Sequence, residues 1–303
     1  MAFTAADVKS LRESTGAGMM DCKNALAASD GDMEKALEFL REKGLAAAAK
    51  KAGRIAAEGM VFAKATDNAG VVVEINSETD FVAKNSDFQK FASDVADTIL
   101  ENNVSDVEAL AECKCAGSDM SVAEALREKV LTIGENIKIR RFAKFEGGVN
   151  VPYMHMGGKI GVLINLAVSD NLKGNASVSE LGRDLAMQIA AMSPSWLTSS
   201  EVPADILDKE KEILTAQAMN EGKPQQVAEK MVMGRIKKFY AENCLLEQAY
   251  VKEDKITVAA HVANVAKELG GEISVTKFVR FEKGEGLEKR EDNFADEVAS
   301  MMK

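Results

Sequence analysis

Two stretches of this chain repeat elsewhere in it, and the repeat limits the fold more than any single motif does. Val61 to Leu100 reads strand, an Asp67-Asn68-Ala69-Gly70 turn, strand, polar loop, helix, and Val149 to Met192 reads the same way. Gly70, Val72 and Ile75 stand about 91 positions before Gly161, Leu163 and Leu166. The helix faces Phe88, Phe91, Val95, Ile99 and Val178, Leu181, Leu185, Ile189 match at about 90. A further similarity joins Glu135–Glu146 to Gly271–Glu282 at about 136. Both segments alternate apolar and polar residues, as half-buried strands do. The two offsets differ by about 45, so the second copy carries an insertion of that size between its helix and its last strand. The expected fold class is α+β, a duplicated core of antiparallel sheets and helices.

Residues 194–240 supply the insertion. Pro194, Pro203 and Pro224 punctuate it. Ile206, Leu207, Ile213 and Leu214 repeat at heptad spacing, and Val227, Met231, Ile236 and Phe239 line a second helix after Gly222-Lys223-Pro224. Two helices with a short turn between them make an antiparallel helical hairpin. Ahead of the core, residues 1–53 read as three helices: Val8, Leu11 and Arg12 on the first, Met19, Met20, Ala25 and Leu26 on the second, Ala36, Leu37 and Leu40 on the third. The expected organisation is a head at 1–53, a first core unit at 54–140 and a second at 141–193 plus 241–282. The hairpin occupies 194–240, and a short helical C-terminal module occupies 283–303.

Composition narrows the function. A formal net charge of −10 argues against direct nucleic-acid binding, which needs a basic patch or stripe. The cysteines Cys22, Cys113, Cys115 and Cys244, with His155 and His261 as the histidines, do not make a zinc set, so no metal and no cofactor is expected. Met1 to Ser10 lacks the basic and apolar regions of a signal peptide, and no stretch reaches the roughly 20 apolar residues of a membrane helix. A cytoplasmic protein with no membrane partner is the expectation. Gly16-Ala17-Gly18 lacks the Gly-Lys-Ser/Thr ending of a phosphate loop.

The candidate site is the polar turn Thr79-Asp80-Phe81-Val82, between the strand that ends near Ile75 and the helix that begins near Phe88. In one reading Thr79 or Asp80 caps the helix and Phe81 packs inward; in the other, Phe81 is kept for a partner. Aligned at 91, the second copy has Asp170, Asn171 and Leu172, so the scaffold does not itself demand phenylalanine. Met19 and Met20 can be an adaptable contact surface or, the reading packing favours, ordinary helix packing. His155, in Tyr153-Met154-His155-Met156-Gly157-Gly158-Lys159, has no partner pattern for a catalytic triad. With no catalytic constellation, the chain reads as a binding protein and not an enzyme. One form of that reading is an adaptor or chaperone-like protein.

The motifs carry a more specific likeness. Thr15-Gly16-Ala17-Gly18-Met19-Met20-Asp21-Cys22-Lys23 and Glu78-Thr79-Asp80-Phe81-Val82-Ala83-Lys84-Asn85 resemble the two signatures of the bacterial translation elongation factor Ts family. Ile133-Gly134-Glu135-Asn136-Ile137, Tyr153-x-His155, Gly222-Lys223-Pro224 and Arg280-Phe281-Glu282 also match, and the resemblance runs the full length. Asn24, Lys159 and Ala249-Tyr250 depart from the family pattern; a lysine does not reproduce arginine's bidentate geometry. The resemblance implies a guanine nucleotide exchange factor for elongation factor Tu, acting on its GDP and nucleotide-free forms in translation elongation. It also implies a head similar to a ubiquitin-associated (UBA-like) domain, and a wedge made by Thr79, Asp80, Phe81 and Val82 that dislodges the partner's magnesium ion. Met19, Met20 and His155 would be further partner contacts. In the family the hairpin is a dimerisation element in some members and a free projection in others, so the resemblance leaves both a homodimer and a monomer open.

Overall fold

A computed structural model of the chain describes residues 3–222 and 224–289. The expected C-terminal module lies beyond residue 289, outside the described residues, apart from its first seven positions. The fold is mixed α/β with antiparallel sheets; among the described residues there are ten α-helices.

Three helices come first: α1 (Ala5–Thr15), α2 (Met19–Ala28) and α3 (Met33–Lys51). Thr4 and Asp7 form a capping box at the start of α1, and Asp32 accepts the free amides of Glu34 and Lys35 at the start of α3. Val8, Leu11, Cys22, Ala25, Leu26, Ala36 and Leu40 meet inside. The alanine-rich stretch before Lys51 continues α3, because Ala47–Ala49 are strong helix formers with no breaker among them. Met19 and Met20 are exposed, which corrects the expectation that they pack; both lie on the first turn of α2, ahead of its buried residues Cys22, Ala25 and Leu26.

The core holds two three-stranded sheets. β1 (Glu58–Ala65), β2 (Ala69–Ser77) and β3 (Lys138–Glu146) form the first in the order β1-β2-β3, with α4 (Ser86–Glu101), α5 (Val107–Glu112) and α6 (Val122–Ile133) before β3. β3 runs six residues past position 140, because its alternation continues through Phe145 against Gly70 of β2. β4 (Val149–His155), β5 (Ile160–Val168) and β8 (Ile273–Glu282) form the second in the order β4-β5-β8, backed by α7 (Ala176–Met192) and α10 (Val258–Glu268). A two-stranded sheet, β6 (Ala249–Tyr250) and β7 (Glu253–Thr257), sits beside α10.

The duplication extends to irregularities. The pairing of β2 with β3 slips between Glu74 and Ile75, and that of β5 with β8 slips between Asn165 and Leu166, the equivalent position. Period-two alternation sends Val71, Val73 and Ile75 toward α4, and Val162, Ile164 and Leu166 toward α7. The opposite faces meet each other through Val61, Ala63, Val72 and Leu163, so the layers run helix, sheet, sheet, helix. Gly70 and Gly161 lie at this seam. A β-carbon on Gly70 would stand 2.6 Å from Leu163 Cδ1, and one on Gly161 would overlap Val61 Cγ1.

Between α7 and β8 the chain forms α8 (Ala204–Asn220) and α9 (Gln225–Asn243). Leu207 and Leu214 pack on Val232, Ile236 and Tyr240. The packed stripe on α9 is thus rotated by one residue from Val227 and Met231, because Phe239 is drawn off to Trp196, with ring centroids 6.0 Å apart. No described helix is long and apolar enough to cross a membrane.

Gly161→Ala is expected to lower stability by about 1–3 kcal/mol through overpacking of the seam, with α-helical content retained. Thermal melts followed by circular dichroism check it, and an unchanged midpoint would show that the sheets can separate freely.

Candidate functional site

The C-terminal end of β2, the tip of the β4–β5 hairpin and the segment after β8 come together at one end of the double sheet. Val61 N–H donates to Gly158 O at 2.8 Å, and Lys283 N–H donates to Lys159 O at 2.9 Å. Lys283 Nζ also pairs with Glu58. At the centre of this end is Glu74, fully buried on β2. It accepts from Gly284 N at 2.8 Å, Asn76 Nδ2 at 3.1 Å, Arg140 Nη1 at 3.0 Å and Arg141 Nε at 2.6 Å. Burial pushes its carboxyl pKa upward, but the hydrogen bonds from Gly284, Asn76, Arg141 and Arg140 outweigh burial and hold it below the ordinary glutamate value of 4.5. Arg141 further stacks on Phe281, 4.2 Å from the ring centroid.

The polar turn grows from this base. Glu135 Oε2 accepts the N–H groups of Glu78 and Thr79, each at 3.0 Å, and Oε1 accepts the Thr79 hydroxyl at 2.6 Å. Glu78 Oε1 in turn accepts the Asn136 N–H at 2.6 Å, and Arg54 reaches the same carboxylate at 3.3 Å. Gly134, in the left-handed region with φ 87°, ends α6 and turns the chain back so that Glu135 faces β2. After the turn comes a 3-10 segment, Val82–Lys84, with Val82 buried in the core under α4.

Phe81 is not packed inward: its side chain is 75% exposed, with Lys84 Nζ 5.9 Å from the ring centroid and Asp80 3.9 Å from Lys84. Neither Thr79 nor Asp80 caps α4. That cap is Asn85, whose side chain accepts from Asp87 and Phe88 N–H, because the intervening 3-10 turn moves the helix start past Asp80. The equivalent cap of α7 is Asn175, and Leu172 takes the buried place of Val82. The copies therefore align at 90 through this turn and not at 91, one residue having been lost after the strand. Phe81 corresponds to Asn171, which is exposed, and not to Leu172.

Thr79, Asp80, Phe81 and Val82 are brought together on one turn. His155 lies at the same end of the molecule, at the close of β4, with its Nδ1 3.0 Å from the Tyr153 hydroxyl. Met19 and Met20 belong to the head, and the hydrogen bonds of the turn run to Arg54, Glu135 and Asn136 instead. Beside His155 the structure adds Met156, exposed and held at φ 49° in a turn completed by Gly157 and Gly158. Glu135, Glu78 and Arg54 were missed as functional supports from sequence; an acidic residue directly after a helix-ending glycine is the signal that points to Glu135.

Val82→Ala is expected to cost about 2 kcal/mol of stability, since two buried methyl groups are lost. Phe81→Ala is expected to change it by less than about 0.5 kcal/mol, as an exposed substitution does. Urea unfolding of both variants checks the contrast. For Glu74, a depressed carboxylate pKa contributes stability that is complete above about pH 4.5 and lost as pH falls through the folded value. Glu74→Gln is expected to cost about 3 kcal/mol at pH 7. The gap from the native protein should close on acidification, which stability measured across pH 3–7 reads.

Residues 78–285 match the family described as Elongation factor TS. The chain is 53% identical over 303 residues to the elongation factor Ts of Clostridium perfringens, covering 99% of each chain. Identity is 50% over 307 residues to that of Syntrophotalea carbinolica, covering all of each, and 52% over 305 residues to that of Clostridioides difficile, covering 99% of each. On a family match spanning most of its length and on relatives at half identity end to end, the chain belongs to the elongation factor Ts family of translation elongation factors.

Proposed function

We propose that the chain is a guanine nucleotide exchange factor for elongation factor Tu, with the Thr79–Val82 turn as its working edge. The observation that carries the reading is the Phe81 ring, presented to solvent from a turn whose backbone is hydrogen-bonded on one side and anchored by Val82 on the other. Such a ring gains free energy only by entering an apolar pocket elsewhere. If that pocket opens when nucleotide leaves, binding of the factor and of GDP oppose each other reciprocally. Burying a phenylalanine side chain gives roughly 1.5–3 kcal/mol, which is one to two decades of coupling at about 1.4 kcal/mol per decade. Asp80, exposed next to Phe81, would act on the charge balance at the partner's magnesium ion, which is displaced from the partner and not bound here. No covalent step is required of this chain.

The rest of the molecule fits supporting roles. The three-helix head is read as UBA-like and as a docking element, with Met19 and Met20 on its exposed face. His155 extends the contact from the second unit. The α8–α9 pair is read as a projecting antiparallel hairpin; exposed Ile213 and Met233 on it suit a second copy of the chain as a dimer partner. These roles belong to a protein acting in the cytoplasm.

The test is release of fluorescent GDP from purified elongation factor Tu. Native protein at micromolar concentration is expected to accelerate release, and Phe81→Ala to reduce the acceleration by about ten- to a hundredfold. An unchanged release rate with native protein would leave the chain without this activity. An unaffected Phe81→Ala variant would move the working edge elsewhere.

A further inference from the structure

We propose that Glu135 is a positioning residue for nucleotide exchange, a strap that fixes the turn from which Phe81 acts; this rests on the exchange reading above. Both of its carboxylate oxygens are used: one takes the Glu78 and Thr79 N–H groups, the other the Thr79 hydroxyl. The connection is reciprocated, since Glu78 accepts from Asn136 N–H, and Ser77 Oγ closes the turn by donating to Thr79 O at 2.9 Å. On the other side Val82 is buried and Asn85 caps α4. Asp80 and Phe81 are therefore the two residues held between fixed points. A ring that must enter a pocket works best when its backbone is already in place, because ordering a loose turn would consume binding free energy.

The second copy shows that the scaffold does not need this carboxylate. Gly271 stands at the position of Glu135, and the equivalent junction is closed by Ser169 with the backbone of Glu272: Ser169 N–H donates to Glu272 O, and Glu272 N–H donates to Ser169 Oγ, both at 3.0 Å. That turn carries Asn171 where the first carries Phe81. Carboxylate strap and exposed aromatic occur together in one copy and are both replaced in the other, which ties Glu135 to the wedge and not to the fold.

The experiment compares native protein, Glu135→Ala, Glu135→Gln, Phe81→Ala and the Glu135→Ala/Phe81→Ala double variant. GDP release is measured at saturating factor, and amide hydrogen exchange at Glu78 and Thr79. Glu135→Ala is expected to lower the maximal acceleration by about ten- to a hundredfold while melting cooperatively, with faster exchange at both amides. Glu135→Gln, which keeps an acceptor oxygen, should recover most of the loss. The double variant should be no slower than Phe81→Ala alone, since both changes remove one device. Native maximal acceleration by Glu135→Ala, or additive losses in the double variant, would overturn the positioning role. If native protein fails to accelerate release at all, the exchange reading falls. Unchanged amide exchange in Glu135→Ala would separately overturn the strap.

Discussion

The close approach of two sheets at Gly70 and Gly161 sets the rest of the structure. Neither position has room for a β-carbon: one faces Leu163 and Asn150, the other Val61 and Val72. With both glycines in place the inner faces interlock, and each sheet must find its second cover outside, α4 with α6 on one and α7 with α10 on the other. The crossing also fixes which strand ends meet. Because β2 and β5 pass each other at these glycines, the last residues of β2 lie beside the first of β5, and the turn bearing Phe81 leaves from the same end as the hairpin bearing His155 and Met156.

At that meeting point the two copies solve one problem in two ways. Each middle strand carries a buried polar residue at its bulge, where the ladder is interrupted. In the second unit Asn165 is satisfied by Asn150 and Thr276 of its own sheet and by Gly147 in the turn that joins the two sheets. In the first unit Glu74 collects Arg140, Arg141 and the N–H of Gly284, which follows the last strand of the other unit. A buried carboxylate is costly unless so surrounded. The first unit thus takes part of its polar core from beyond the last strand of the second, whereas the second uses its own sheet and the joining turn.

Strand and helix periodicity, together with self-similarity, made the duplicated core legible in sequence, because alternation and the glycines at the seam are repeated at a constant spacing. The turn was legible as a site, but its internal geometry was not. The connection after β5 is one residue shorter than that after β2, which changes the offset from 91 to 90 in a stretch too polar to show periodicity, so the 91 spacing pairs Phe81 with buried Leu172 when its equivalent is exposed Asn171. The cap at Asn85 was hidden by the 3-10 turn before it. The local hint of Glu135 is the helix-ending Gly134 before it; what it holds does not show in sequence, because Glu78 and Thr79 are distant and are held through two backbone amides and the Thr79 hydroxyl. Met19 and Met20 show the same limit: helical spacing puts Met19 on the side of Cys22 and Leu26, yet on the first turn both side chains stay exposed.

The bond from Gly284 N–H to Glu74 joins residues 210 positions apart. A chain made from its N-terminus reaches Glu74 long before Gly284. Until then the first sheet holds a carboxylate for which Arg140, Arg141 and Asn76 are only part of the shell. Contacts of such separation are slow to form, since a long loop must close before they contribute. Until Gly284 is made, a growing chain carries the turn bearing Phe81 without its completed base.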